Sequence, residues 1–120
     1  MEQRFRSVRP FIGANDFALS RRFYVDVGFE ENILSPVLSV FKTKGASFYL
    51  QDAYVKDWID NSMLFLEVED LYQVYQELFA LDLPSKYNSV KLSPVRVESW
   101  GRECFLHDPA GILWHIGEFI

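Results

Sequence analysis

The order of predicted elements repeats once along the chain, and this repeat constrains the fold more than any other feature. Each half reads as a strand, a helix and three further strands. Asp16 aligns with Asp70, and the segment Gly45-Ala46-Ser47-Phe48-Tyr49-Leu50 aligns with Gly111-Ile112-Leu113-Trp114-His115-Ile116. A unit of this kind cannot bury a sheet face alone, so we expect the two units to pack side by side.

Local patterns place the elements within each repeat. Asn15 or Asp16 is expected to cap the first helix and Gly28 to end it, and Glu69-Asp70 to cap the second helix. Asp108-Pro109-Ala110-Gly111 is typical of a type I turn. Residues 53–61 read as a loop or a short helical excursion. Alternation of apolar and polar residues predicts strands near 5–14, 29–34, 37–43, 46–52, 63–68, 90–98, 102–108 and 112–119.

The repeat predicts an α+β fold. Two βαβββ modules, at about 5–52 and about 62–120, would pack into a curved mixed sheet within one domain of residues 1–120. The helices would cover the outer face of this sheet. The opposite face would be concave, and it is the candidate ligand site.

Strand alternation separates the side chains of the two faces. Phe48, Leu50, Trp114 and Ile116 are expected in the core beneath the helices. Trp100 stands beside Gly101 at a strand junction, where a core position is less natural. The residues predicted to line the concave face and bind the ligand are Arg9, Phe11, Tyr49, Met63, Phe65, Glu67, Trp100 and His115.

Composition narrows the class of partner. The chain has 120 residues, with 11 Phe, 6 Tyr and 3 Trp, and a net charge of −5. No dense Lys/Arg cluster is present, which argues against nucleic-acid binding. Cys104 is the only cysteine, so an internal disulfide or a zinc–thiolate cluster is excluded. Without a signal-like leader or a membrane-length apolar stretch, we expect a cytoplasmic protein that does not contact membranes.

Several motifs together resemble a known superfamily. Trp100-Gly101-Arg102-Glu103 is followed by Asp108-Pro109-Ala110-Gly111 at the spacing found in the vicinal-oxygen-chelate superfamily of glyoxalases, bleomycin-resistance proteins and ring-cleaving dioxygenases. The chain is most similar to the bleomycin-resistance branch, and the resemblance covers essentially its whole length. The remaining motifs that carry it are Arg9-Pro10-Phe11, Asn15-Asp16, Phe23-Tyr24, Gly28-Phe29 and Asp60-Asn61.

The resemblance also implies where a metal ion would bind in the enzymes of this superfamily. Their four ligands, usually His, Gln or Glu, fall on positions that here hold Arg9, Tyr49, Met63 and His115. None of these is a carboxylate, Arg9 would repel a divalent ion, and the Met63 thioether suits soft metals. Glu118 lies three positions after His115, so the alternation of a strand should place its side chain on the opposite face of the sheet. We therefore predict no metal of the superfamily type and no cofactor.

The resemblance favours a binding protein. Bleomycin-resistance proteins are homodimers with two ligand clefts at the subunit boundary, which sequester an aromatic, cationic antibiotic. Here Phe11, Tyr49, Phe65 and Trp100 would stack on the ligand. Glu67 and the loop that contains Asp57 and Asp60 would supply negative charge.

The same residues also fit other functions and roles. Tyr49, Glu67 and His115 could serve a metal-free enzyme of the same fold, and Glu98 or Glu103 could complete a misaligned metal site. His115 could also be a hydrogen-bonded histidine of the sheet. Phe11 and Phe65 could belong to the core, and Trp100 could be a dimer contact.

Overall fold

A computed structural model describes residues 4–120 of the chain. The helices are α1 (Phe17–Val27), α2 (Lys56–Asp60), α3 (Leu71–Ala80) and α4 (Leu83–Lys86). The strands are β1 (Phe11–Gly13), β2 (Glu30–Ser35), β3 (Leu38–Thr43), β4 (Ala46–Gln51), β5 (Met63–Glu67), β6 (Lys91–Leu92), β7 (Arg96–Glu98), β8 (Gly101–His107) and β9 (Leu113–Phe119).

Each repeat forms its own mixed sheet. The first sheet has the order β1-β4-β3-β2, and the second has the order β5-β9-β8-β6, with β7 also paired to β8. The pairs β1–β4 and β5–β9 are parallel, and every other pair is antiparallel. The predicted α+β class with two equivalent modules is confirmed, and hydrogen bonding divides its strands between two sheets.

One apolar core joins the two modules. Phe48 of β4 and Trp114 of β9 are buried, and their rings meet at 5.3 Å between centroids. Leu50 and Ile116 are also buried, as the alternation predicted. The helices add Phe23, which is fully buried, to the same cluster of side chains. Burial of this apolar surface against both sheets holds the modules together.

The predicted helix boundaries are confirmed. The Asp16 side chain accepts a hydrogen bond from the backbone N–H of Leu19, and Asp70 accepts one from Gln73. Gly28 ends α1 with a φ of 119°, a left-handed conformation that glycine adopts without steric cost. The helix α2 lies within the segment for which a loop or short helical excursion was expected.

Two predicted strands are shorter than the sequence pattern indicated, and proline explains both. The prediction for 5–14 was too long, because ladder pairing begins only where the carbonyl of Pro10 accepts from Tyr49 and β1 follows. The prediction of one strand at 90–98 was wrong, because the segment that contains Pro94 divides it into two strands, β6 and β7. Proline cannot donate to a strand ladder, so it starts or interrupts strands.

The predicted turn between β8 and β9 is also present. Asp108 Oδ1 accepts hydrogen bonds from the backbone N–H groups of Ala110, Gly111 and Ile112. The backbone N–H of Gly111 also donates to the carbonyl oxygen of Asp108 at 3.0 Å. This turn fixes the position of β9, the strand that carries His115.

Candidate functional site

An aromatic surface lies on the second sheet, on the face opposite the core. It consists of Phe65 from β5, Trp100 from the β7–β8 turn and Phe119 from the end of β9, and we call it the aromatic wall. The ring centroids are 6.0 Å apart for Phe65 and Trp100, 5.6 Å for Phe65 and Phe119, and 5.2 Å for Trp100 and Phe119. Phe65 is 46% exposed and Phe119 is 54% exposed. The wall therefore presents ring surface to an incoming molecule.

A glycine allows Phe65 to take its place in the wall. A Cβ atom built on Gly117 would lie 2.4 Å from Cζ of the Phe65 ring, far inside van der Waals contact. Gly117 belongs to β9 and lies opposite Glu67 of β5 in the parallel register. The bare backbone at this position therefore provides the space into which the Phe65 ring packs.

His115 lies beside the wall, and its side chain is 25% exposed. Phe65 stacks on it with an interplanar angle of 19° at 6.3 Å, and Phe105 meets it edge-on at 5.0 Å. Nδ1 of His115 is 3.0 Å from Oε1 of Glu103, and Nε2 is 3.3 Å from Sδ of Met63. The structure thus brings together four of the predicted site residues: Met63, Phe65, Trp100 and His115.

The remaining predicted residues lie apart from this group. Phe11 and Tyr49 face each other across the β1–β4 pair of the first sheet, and their rings stack at 4.5 Å with an interplanar angle of 15°. Arg9 precedes β1, is exposed, and donates from Nε to the Ser7 hydroxyl at 3.2 Å. Glu67 is exposed at the end of β5. The chain therefore offers two separate aromatic surfaces, one on each module.

A cleft with a volume of about 800 Å³ opens beside the wall. It lies between the β3–β4 turn and β5, and both Phe65 and Phe119 reach its lining. The charged residues that line it are Lys44, Glu67, Glu69 and Glu118. Glu118 is paired with Arg102, so Glu67 and Glu69 against Lys44 leave a small excess of negative charge, which favours a ligand with positive charge.

The acids expected in the loop at 53–61 are placed less favourably for a cation. Asp60 already forms an ion pair with Lys56 at 2.5 Å within α2. Asp57 is exposed on α2, and it is not among the residues that line the cleft. Glu67 thus remains the better-placed of the predicted acids, because it lines the cleft beside Phe65.

The sequence analysis considered Glu103 only for a misaligned metal site, and it did not assign Phe105 and Phe119 to the site. The signal was present in the strand period, because residues 103 and 105 share one face of β8, and 115 and 119 share one face of β9. Arg102, on the other face of β8, pairs with Glu118 at 2.5 Å across the β8–β9 ladder. Glu118 therefore points away from His115, as predicted.

The chemistry of the remaining groups near the site is limited. Cys104 is fully buried, and burial followed by the charge of Glu103 raises the pKa of its thiol to about 11. The thiol is therefore uncharged near neutral pH and is a poor nucleophile or metal ligand. Within residues 4–120, no three His, Cys, Asp or Glu side chains group closely enough to hold a metal ion.

Comparison with known proteins identifies the fold. No protein-family model matches the sequence, and no curated protein matches it. Several solved structures match the fold of the chain. A bleomycin-binding protein in complex with bleomycin has a TM-score of 0.81 at 15% identity, covering 97% of this chain and 100% of that one.

Two further structures show the breadth of the similarity. The bleomycin-binding protein from Streptomyces verticillus, in complex with copper(II)-bleomycin, has a TM-score of 0.80 at 22% identity and covers 97% of this chain and 98% of its own. A lactoylglutathione lyase from Agrobacterium tumefaciens has a TM-score of 0.71 at 19% identity, with coverage of 93% and 92%. The predicted resemblance is confirmed in its architecture: the chain has the glyoxalase/bleomycin-resistance fold.

Proposed function

We propose that this chain is a small-molecule-binding protein that sequesters an aromatic, positively charged compound, such as a bleomycin-type antibiotic, without chemical turnover. The observation that carries the proposal is the aromatic wall, in which Phe65 and Phe119 are exposed and reach a cleft that is also lined by Glu67 and Glu69. Flat cations gain both from stacking on such rings and from nearby carboxylates. Two structures of the same fold hold bleomycin, which supports this ligand class.

We further propose that the protein acts as a cytoplasmic homodimer. The stacked pair Phe11–Tyr49 and the aromatic wall lie on different sheets of one chain, so each surface leaves one side of a ligand uncovered. A second copy of the chain could place the Phe11–Tyr49 pair of one subunit opposite the aromatic wall of the other. Within residues 4–120, no helix is long and apolar enough to cross a membrane.

Calorimetric titration with metal-free bleomycin tests the proposal. We expect saturation at one ligand per chain, with affinity that decreases as salt is added, because the carboxylates of the cleft are accessible to counterions. Phe65→Ala should weaken binding about two- to tenfold, since an aromatic pair contributes about 0.5–1.5 kcal/mol. Phe79→Ala is the matched control, because Phe79 is 67% exposed on α3, away from the wall. Absence of heat with bleomycin would exclude this ligand.

A metal-free enzyme is the second candidate, and one contact favours it. The 3.0 Å contact between His115 and Glu103 is the arrangement in which a carboxylate orients a histidine that exchanges protons. The predicted partners Tyr49 and Glu67 contribute less, because Tyr49 stacks on Phe11 in the other sheet. Mass spectrometry of the ligand after prolonged incubation separates the two functions. A product that disappears in His115→Ala, with binding retained, would favour the enzyme.

A further inference from the structure

We propose that a second cavity, on the core side of the sheets, binds a small aliphatic molecule with a positively charged end. This intermodule cavity has a volume of about 270 Å³. The C-terminal end of α1 and the β3–β4 turn form one side of it, and α3 with the end of β5 forms the other. The aromatic wall is on the opposite face of the second sheet, so this site goes beyond the proposed function.

The inside of the intermodule cavity is apolar. Leu106 of β8 and the β9 residues Trp114 and Ile116 form its floor, and all three are buried. Protein interiors normally contain few voids larger than a water molecule, so this space is an exception. A hydrocarbon that filled it would remove further apolar surface from water. The aliphatic side chains that line its sides, packed against the core but only half-buried, are Val27, Leu66, Val68, Val74 and Leu81.

The polar side-chain groups at the floor are already paired with each other. The Tyr24 hydroxyl donates to Oδ2 of Asp108 at 2.6 Å and accepts from Nε1 of Trp114 at 2.9 Å. A ligand that placed a polar group at this depth would lose its hydrogen bonds to water without replacing them, which is unfavourable. The part of the ligand that enters the cavity is therefore hydrocarbon.

The volume of the cavity sets the size of this hydrocarbon. An apolar cavity of about 150 Å³ lined by Leu, Ile and Phe stays dry and binds benzene. In the same proportion, a volume of about 270 Å³ holds about ten carbon atoms. Such a ligand is much smaller than bleomycin, so the intermodule cavity and the aromatic wall select different molecules.

The charged residues of the lining select the end of the ligand that stays outside. Lys44, Glu67 and Glu77 are exposed, which places them at the mouth of the cavity. Among residues 4–120, none of the three has an ion-pair partner. Two carboxylates against one ammonium leave one net negative charge, which favours a cation over an anion. An alkylammonium ion meets both requirements, with its chain in the cavity and its charge at the mouth.

Calorimetric titration with straight-chain alkylammonium ions tests the site without any antibiotic. Each CH₂ group that enters the cavity should raise the affinity about fourfold, and the gain should stop near a chain of about ten carbons. n-Octanoate should bind about fivefold more weakly than n-octylammonium, because its charge is opposite. An affinity that does not rise from butyl- to octylammonium, or equal affinity for the two octyl compounds, would overturn the proposal.

A variant that fills the cavity tests where the chain binds. Val74→Phe should lower the affinity for n-octylammonium at least tenfold, because the ring occupies the space between the modules. Val25→Phe is the matched control and should bind like wild type, because Val25 is 49% exposed on α1 and does not line the cavity. Wild-type affinity in Val74→Phe would contradict the site.

NMR of the wild-type complex gives a second measurement that does not depend on how well Val74→Phe folds. Lys44 and Glu67 also line the cleft beside the aromatic wall, so contacts of the octyl chain must separate the two sites. We expect intermolecular nuclear Overhauser effects from the chain to the methyl groups of Val74 and Leu81. Effects to the Phe65 ring instead would place the ligand at the aromatic wall and overturn the site. Since no antibiotic is present, failure here is distinguishable from failure of the proposed function.

Discussion

The hydroxyl of Tyr24 in α1 donates a 2.6 Å hydrogen bond to Oδ2 of Asp108, in the turn of the other module. The same hydroxyl accepts a bond of 2.9 Å from Nε1 of Trp114. Tyr24 and Asp108 are buried, and burial is the main reason that the pKa of each is raised. The bond therefore ties the first module to the turn that positions β9, and through β9 it supports His115.

Tyr24→Phe tests this link between the modules. The change leaves Asp108 Oδ2 and the Trp114 N–H buried without a partner, and such groups cost about 1–3 kcal/mol each. We expect a loss of at least about 2 kcal/mol in the free energy of unfolding, measured with urea. Tyr87→Phe is the matched control. Its hydroxyl bonds to Asp26, an exposed residue that water can satisfy, so its loss should cost about 1 kcal/mol or less.

Equal losses of unfolding free energy in Tyr24→Phe and Tyr87→Phe would contradict the proposed link between the modules. In that case the buried network would contribute no more than an accessible hydrogen bond. A change in ligand affinity in Tyr24→Phe without a change in stability would also be inconsistent, because Tyr24 is on the core side of the sheets and does not reach the aromatic wall.

The carboxylate of Glu118 gives the fold a dependence on pH. Its pKa is lowered from the ordinary value of 4.5, first by the hydrogen bond from the backbone N–H of Leu71 and then by Arg102. The unfolded chain binds the proton more readily, so this contribution is present above about pH 4.5 and is lost as the pH falls through the lower, folded-state value. Glu118→Gln should therefore be less stable than wild type near neutral pH.

The gap between wild type and Glu118→Gln should narrow as the pH is lowered toward about 3, in urea midpoints measured along the series. Glu77→Gln removes an exposed acid of α3 and controls for the change in net charge. A gap of constant size across the series would mean that the carboxylate is not held by Leu71 and Arg102 in solution.

Two glycines close to the site should respond differently to alanine. A Cβ on Gly101 would lie 2.0 Å from the backbone oxygen of Glu118, which cannot move without opening the β8–β9 pair. Gly101→Ala should therefore destabilise the protein by about 1–3 kcal/mol. In Gly117→Ala the atom in the way belongs to the Phe65 ring, which is half-exposed and can rotate at a cost of about 1 kcal/mol.

Gly117→Ala should instead weaken ligand binding, because the rotated Phe65 ring leaves the aromatic wall. Thermal unfolding and calorimetric titration of the two alanine variants check this pair of expectations. A Gly117→Ala protein with wild-type affinity would show that the position of Phe65 does not matter for binding.

The fold was predictable because its signals are local and occur twice. Asp16, Gly28 and Asp70 cap their helices through contacts within a few residues, so the local pattern predicted Gly28 directly and narrowed the N-caps to Asn15 or Asp16 and to Glu69-Asp70. The strand period likewise predicted that Phe48 and Trp114 would be buried. The interruptions by Pro10 and Pro94 were underestimated, because the apolar pattern continues across residues that cannot donate to a ladder.

The site was harder to predict because its contacts depend on which sheet a strand joins. Phe11 and Phe65 occupy equivalent places in the repeat, but each joins the sheet of its own module, so Phe11 lies apart from the wall. Glu103 approaches His115 across the antiparallel β8–β9 ladder, and residue parity gives the face of a strand but not its register. The parallel pair β5–β9 joins strands that are far apart in sequence, and no local turn fixes its register.

Fluorescence of Trp100 measures the central claim, binding of an aromatic ligand at the wall, most directly. In Trp58→Phe the exposed indole, 67% accessible, is removed, which leaves Trp100 in the wall and Trp114 in the core. Titration with metal-free bleomycin should then give a saturable change in emission at one ligand per chain, and the change should be lost in Trp58→Phe/Trp100→Phe. Saturable binding detected by heat with no change in Trp100 emission would place the ligand elsewhere and contradict the account.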